Sequence, residues 1–186
     1  MWTKKTYSMN FYSVTASSYE ELYGTEQQLK YDLVLKALGV ESLGRVVDIG
    51  CGTGGFLRRI SSVSTFLVGV DLSLGMLKRA KESGGSSIHF LRCDADFLPI
   101  RDDVFDYAFS FTVLQNLPSP SSTLLEILRT IHPEWGKAVI TVLDGPEPLL
   151  VDLQTRGDYH PMVKELKPVS TKDRVFLFWK RVHWPK

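Results

Sequence analysis

A doubly wound α/β fold, with a mostly parallel sheet of seven strands finished by an antiparallel hairpin, is the architecture this sequence predicts. Three observations predict it. Short β-branched runs alternate with segments of helical spacing from Arg45 to Leu143, the order that gives parallel strands covered by helices on both faces. One of those runs ends in a cluster of glycines just ahead of a helical segment, the way a strand turns at the ligand crevice of such a sheet. After Leu143 the alternation stops, and two strand-like segments flank a short polar turn, which pairs them as a hairpin.

The elements follow in order. Ser18 to Leu38 is helical in composition, with Leu29, Leu33, Val34, Ala37 and Leu38 at helical spacing and Gly39 as a stop. Gly24 is expected to break this stretch into two pieces. Arg45 to Ile49 is the first strand and Phe56 to Ile60 opens a helix; Thr65 to Val70 and Leu74 to Lys81 repeat the pattern, and Ser87 to Leu91 is a third strand. Phe105 to Phe111, Ser121 to Ile131 and Lys137 to Leu143 add a strand, a helix and a strand. Leu149 to Gln154 reads as a short helix. Met162 to Val169 and Arg174 to Val182 are the hairpin strands around the turn Ser170 to Asp173.

At 186 residues, with 44% apolar and 23% charged residues, the chain has the composition of one globular domain with a full core. Residues 1–40 are expected to form an amino-terminal helical segment covering the pocket. Cys51 and Cys93 are too few for a disulfide scaffold and have no zinc-ligand spacing to a nearby His. The first residues carry no apolar run that reads as a secretory signal, and no stretch is long and apolar enough for a bilayer span. A reducing, cytoplasmic setting is the expectation. The net charge of +1 is unevenly spread: from Met162 onward seven basic residues face only Glu165 and Asp173. With Phe176, Phe178, Trp179 and Trp184 interleaved, that tail suits RNA or an acidic protein partner, or else a strand with one solvated charged face.

The strongest chemical signal is VVDIGCGTGGF, Val46 to Phe56. Glycines at this point let backbone approach a ligand at the carboxyl end of a parallel strand. Gly50, Gly52 and Gly55 also satisfy the dinucleotide spacing, and Asp71 ends the next apolar run, placed to hold a ribose diol. Asp48 separates the two cofactor readings. At about 6 Å and an effective dielectric of about 20, a carboxylate and one phosphate charge repel by nearly ~3 kcal/mol. A pyrophosphate is poorly served there, whereas the ammonium of S-adenosylmethionine is favoured. Cys51 reads as a small side chain in a crowded turn, His89 as a packed or edge histidine and His132 as part of a turn. His160, between Tyr159 and Pro161, is a candidate for the pocket mouth.

The segment Asp48-Ile-Gly-Cys-Gly-Thr-Gly54 resembles the first motif of class I methyltransferases of the type 11 kind, which implies a Rossmann-like fold and S-adenosyl-L-methionine as cofactor. CDADFLPI (Cys93 to Ile100), FDYAFSFTVLQNL (Phe105 to Leu117) and LLEILRTIHPEWGKAVIT resemble later segments of that family, in order. The resemblance implies a cofactor site of Asp48, Gly50, Cys51, Gly52, Asp71, Leu72, Asp94, Ala95 and Phe111, with Asp94 and Ala95 at the adenine. Gln115 and Asn116 stand where many relatives carry a histidine pair, so no general base transfers and no catalytic residue is assigned. Gln115, Asn116, Tyr12 and Tyr19 are expected on the acceptor side. The sequence also departs from relatives that carry Pro-Gly-Gly, because Glu134 and Trp135 follow Pro133.

The function implied is in-line methyl transfer to an acceptor that is either a small molecule or an RNA or protein. A catalytically inactive S-adenosylmethionine-binding scaffold and a nicotinamide-dependent oxidoreductase are the alternatives; the second is opposed by Asp48 and the terminal hairpin.

Overall fold

The computed structural model describes residues 2–143, 161–166 and 173–180. Two helices come first, α1 (Trp2–Thr15) and α2 (Tyr19–Leu38). The alternating part follows: β1 (Gly44–Ile49), α3 (Gly55–Arg59), β2 (Ser64–Asp71), α4 (Leu74–Ser83), β3 (Ile88–Arg92), β4 (Tyr107–Phe111), α5 (Pro120–Thr130) and β5 (Lys137–Val142). A single 3-10 turn, Leu114–Asn116, links β4 to α5. The chain ends its described part with β6 (Met162–Leu166) and β7 (Arg174–Trp179).

The strands form one seven-stranded sheet in the order β3-β2-β1-β4-β5-β7-β6. β1 pairs in parallel with β2 on one side and β4 on the other, so the strand order reverses between β1 and β4. The carboxyl ends of strands at that reversal are where open α/β sheets bind ligands. β7 lies antiparallel between β5 and β6, with Ala138 opposite Phe178 and Leu166 opposite Val175. Both hairpin strands are present, as Met162–Leu166 and Arg174–Trp179; residues 167–172 and 181–182 lie outside the described residues, as do the helix expected at Leu149 to Gln154 and His160.

Alternation along each strand divides the core between the two faces. Val47, Ile49, Ala108 and Ile140 pack with Leu124, Ile127 and Leu128 of α5. On the other face Val46, Phe109, Phe111 and Val139 meet Tyr31 and Val34 of α2 and Phe56, Leu57 and Ile60 near α3.

One sequence expectation changes. Gly24 does not break the second helix, which runs unbroken from Tyr19 to Leu38 and ends at Gly39 in a left-handed cap. A Cβ at Gly24 would meet only Glu20 Cβ at 3.9 Å, so no packing demand bends the helix and burial of Tyr31 and Val34 outweighs the propensity cost of about 1 kcal/mol. Residues 2–15, without helical periodicity of their own, form α1, the first part of the helical segment expected over residues 1–40. Tertiary contacts hold it: Ser13 Oγ lies 2.8 Å from Ser73 Oγ, and a Cβ on Gly75 would come within 3.0 Å of Ser13 backbone.

Candidate functional site

The crevice at the carboxyl ends of β1, β2 and β4 is roofed by α1 and α2, leaving a cavity of about 320 Å³, at the small end of the range for a drug-sized ligand. Its floor is the glycine turn. The amides of Gly50 and Cys51 both donate to Val70 O, at 2.7 and 3.0 Å, which ties the turn to β2. Gly50 has φ +76° and a Cβ there would sit 2.3 Å from Val113 Cγ2, whereas Gly52, at φ +53°, has nothing within 4 Å of that position. Gly50 is thus required by crowding and backbone conformation together, and Gly52 offers a bare backbone face to the cavity.

Asp71 closes β2 and anchors the same turn. Its Oδ2 accepts from Gly52 N at 2.9 Å and its Oδ1 from Ser73 N at 2.8 Å. Each oxygen keeps a lone pair for a ligand. Burial raises this carboxyl above its ordinary range, opposed by the amides of Ser73, Gly52 and Leu72.

Asp48 stands behind the turn rather than in the cavity wall. It is 2% exposed, its Oδ1 is buried without a hydrogen-bond partner, and burial, reinforced by the Asp71 carboxylate, pushes its carboxyl up to about 8. A buried, unpartnered carboxyl beside an open backbone face is the environment that a nearby ammonium would relieve. The donor set fits S-adenosylmethionine, for which Asp71 would hold the ribose hydroxyls, Gly50 and Gly52 would allow close approach, and Asp48 would face the ammonium end. Pyrophosphate would meet two carboxylates.

At the other end of the floor, Cys93, Asp94 and Ala95 follow β3 and line the cavity. Lys5, on α1 and only 4% exposed, reaches Asp94 Oδ1 and Oδ2 at 2.6 and 2.7 Å and Asp96 Oδ2 at 2.5 Å. Burial alone would lower the Lys5 ammonium's pKa, but the hydrogen bonds to Asp94 and Asp96 outweigh it and hold it raised. Asp96 in turn accepts from Thr123 Oγ1 of α5.

Beneath the roof, Phe11, Tyr12, Tyr19 and Tyr23 form a chain of tilted and edge-on rings, with centroids 5.4, 6.2 and 5.1 Å apart, and all four line the cavity. Burial raises the Tyr12 hydroxyl, which hydrogen-bonds the Asn116 side chain, and pushes Tyr19 up to about 12; both stay neutral. Asn116 Nδ2 donates to Thr112 O at 3.1 Å.

One wall joins three elements through one polar cluster. Lys30 of α2, 2% exposed, donates to Thr112 Oγ1 at 2.8 Å and pairs with Asp173 Oδ2. Thr112 Oγ1 donates to the same Asp173 oxygen at 2.8 Å, and Thr112 N donates to Thr141 Oγ1 of β5 at 2.9 Å. Thr112 holds φ at +60°, a left-handed conformation that costs a β-branched residue free energy and clusters at functional sites.

Of the residues singled out in the sequence, Gly50, Gly52, Asp71, Leu72, Asp94, Ala95, Phe111, Tyr12, Tyr19 and Asn116 line this cavity. Asp48, Cys51 and Gln115 do not. Cys51 is buried within the turn, and burial keeps its thiol protonated well above neutrality, with Asp71 adding to the effect. Gln115 sits in the 3-10 turn, outside the lining. Sequence reasoning missed Lys5, Lys30, Thr112 and Asp173, for which no local pattern exists. His89 is an exposed residue of edge strand β3 whose ring lies 5.0 Å from that of Phe66, tilted by 34°. In the hairpin, Arg174 forks onto Glu165 at 2.9 and 3.0 Å and Lys180 pairs with Asp103; Arg181 lies outside the described residues. The turn after Pro133 is fixed by Trp135 Nε1 donating to Asp106 at 2.9 Å, and a Cβ at Gly136 would fall 2.4 Å from His132 O.

A family model described as "Methyltransferase domain" matches residues 47–140. The chain is 31% identical over 135 residues to a malonyl-[acyl-carrier protein] O-methyltransferase of Pseudescherichia vulneris, which covers 73% of this chain and 53% of that protein. It is 35% identical over 114 residues to a demethylmenaquinone methyltransferase of Renibacterium salmoninarum, covering 61% and 47%. The chain thus spans about half the length of these curated relatives. Among solved structures, a Haloferax volcanii putative methyltransferase in complex with the Trm112 methyltransferase activator aligns with TM-score 0.73 and 18% identity over 91% of this chain and 97% of that one, a likeness of fold.

Proposed function

The chain belongs to the methyltransferase domain family, and from that premise we propose that it transfers a methyl group from S-adenosyl-L-methionine to an acceptor entering beneath Tyr19 and Tyr23. The observation that carries this reading is the pairing of Asp71 with the bare Gly52 backbone at the point where strand order reverses.

When bound, the donor supplies an activated methyl group on a sulfonium. Asp71 orients the donor through the ribose, Gly50 and Gly52 admit it to the turn, and Asp48 offers a carboxylate to the ammonium. Asp94, held by Lys5, keeps a lone pair on Oδ2 for the adenine amino group. The roof of α1 and α2 excludes water, and alignment alone contributes as much as roughly 7 to 11 kcal/mol in well-oriented systems. No proton relay is needed for the transfer itself. The names of the relatives, malonyl-[acyl-carrier protein] O-methyltransferase and demethylmenaquinone methyltransferase, favour a small or carrier-tethered acceptor, and the size of the cavity favours one that inserts only a compact reactive end.

The test has two arms. Calorimetric titration of the protein with S-adenosylhomocysteine and with NADH should show binding of the first alone. Labelled donor supplied with cell extract separated into metabolite, carrier-protein and RNA fractions should then label the first or second; binding without transfer to any fraction would mark a scaffold instead of an enzyme.

A further inference from the structure

We propose that Lys30 is an acceptor-binding residue, and that the acceptor belongs to the oxygen acids: it presents a carboxylate, enolate or phenolate oxygen to the Lys30 ammonium. The inference rests on the methyltransferase reading and adds the chemical class of the acceptor.

Lys30 lines the cavity where Thr112 follows β4 and Asp173 precedes β7, whereas Asp94 and Ala95 follow β3 at the opposite edge of the sheet. An ammonium has three donors. One donates to Thr112 Oγ1 at 2.8 Å, and the ammonium is ion-paired with Asp173 Oδ2; no other partner of Lys30 is found among the described residues. These two contacts hold the cation in place. Because Thr112 gives its own proton to Asp173, its oxygen must accept from Lys30, so the three groups form a ring with one polarity. Thr112 is itself held by Thr141 and by the Asn116 amide, in a backbone conformation that a threonine does not adopt freely. A buried ion pair is a costly way to join helix to sheet, since apolar side chains of similar size do so at least as well. The arrangement instead places a cation, partly balanced by Asp173, in the lining of a cavity that Tyr19, Tyr23 and Glu26 also line.

The chemistry explains why such a cation helps. An oxygen acid must lose its proton, to solvent, before it attacks; Lys30 lowers the cost of holding the resulting anion. In O-methylation the oxygen lone pair forms the bond to the methyl carbon while the carbon–sulfur bond breaks, its electron pair remaining on sulfur. One positive and one negative charge vanish together, and a neutral methyl ester or ether no longer attracts Lys30. Substrate is held and product is released by the same side chain.

Four small probes test this on the protein saturated with S-adenosylhomocysteine: benzoate against methyl benzoate for a carboxylate, and 4-nitrophenol against 4-nitroanisole for a phenolate. At least one acid should bind tenfold or more tightly than its methyl derivative, and bound 4-nitrophenol should ionise at lower pH than free. Lys30→Met should weaken acid binding by about tenfold or more, remove the ionisation shift and leave methyl derivatives unaffected; Lys30→Arg should retain both. Asp173→Asn, which removes the balancing charge, should tighten acid binding. Acids and methyl derivatives binding alike, or Lys30→Met and Asp173→Asn weakening the acids equally, would overturn the proposal in favour of a structural clasp. Wild-type protein that does not bind S-adenosylhomocysteine would instead sink the methyltransferase reading.

Discussion

Binding of S-adenosylhomocysteine should expel a proton from Asp48. In the free protein the carboxyl, ordinarily near 3.8, is pushed up to about 8 by burial and secondarily by the Asp71 carboxylate, so at pH 7 it is protonated in about nine-tenths of molecules. Ionising it at pH 7 costs about 1.4 kcal/mol, and the ligand ammonium must supply at least that. The sign follows from linkage: a carboxyl whose folded value is raised contributes stability that is full below about pH 4 and lost as pH rises through about 8. The cationic end of the ligand restores what is lost, so its stabilising effect grows over the same window. Calorimetric titration in buffers of different ionisation enthalpy counts the protons. We expect release of about 0.9 proton per site at pH 7 and about a quarter at pH 8.5, and none from Asp48→Asn. A wild-type enthalpy independent of buffer at pH 7, or the same release from the Asn variant, would refute the argument that the ammonium end meets Asp48.

Other perturbations test the rest of the site and the core. Asp71→Asn should weaken S-adenosylhomocysteine binding by about 10- to 100-fold, and because its amide nitrogen cannot accept from Gly52 N or Ser73 N it should also lower the thermal midpoint; unchanged affinity would remove Asp71 from the ribose. Gly50→Ala should destabilise the fold, and because its Cβ would sit 2.3 Å from Val113 Cγ2, a cycle with Val113→Ala should show a favourable coupling of about 1 kcal/mol or more. Strict additivity would mean that positive φ alone accounts for the glycine. Phe56→Ala, at a fully buried ring packed 4.5 and 4.7 Å from Phe109 and Phe111, should cost about 3 to 5 kcal/mol in urea denaturation, and less than about 1.5 kcal/mol would show that the sheet collapses around the cavity.

What was legible in the sequence is what local pattern encodes. The strands of the sheet were readable because β-branched runs such as Val46 to Ile49 admit few other conformations, and the glycine turn because its backbone needs residues without a Cβ. The hairpin was readable from the break in alternation. α1 was legible only as part of a helical segment over residues 1–40, because nothing in residues 2–15 is periodic; Lys5 gains its meaning only against Asp94 and Asp96, nearly ninety positions away. Gly24 misled for the converse reason, since a propensity was read where packing decides. Lys30 and Asp173 are the extreme case. One looks like an ordinary helix lysine and the other like a turn aspartate, and only the sheet order, with β7 beside β5, brings them together.

That sheet order also sets a timetable for biosynthesis. A nascent chain can assemble β1 to β5 as each strand emerges, but the outer edge of β5 waits for β7, which must arrive last and slide in ahead of β6, already made. Until then Val139 and Ile140 lack their neighbours Leu177 and Phe176, and Lys30 has no counter-ion. The methyl-donor pocket is thus sealed by residues translated more than a hundred codons after its floor, so a ribosome that stalls in the hairpin releases a product with the recognisable motif and no finished chamber.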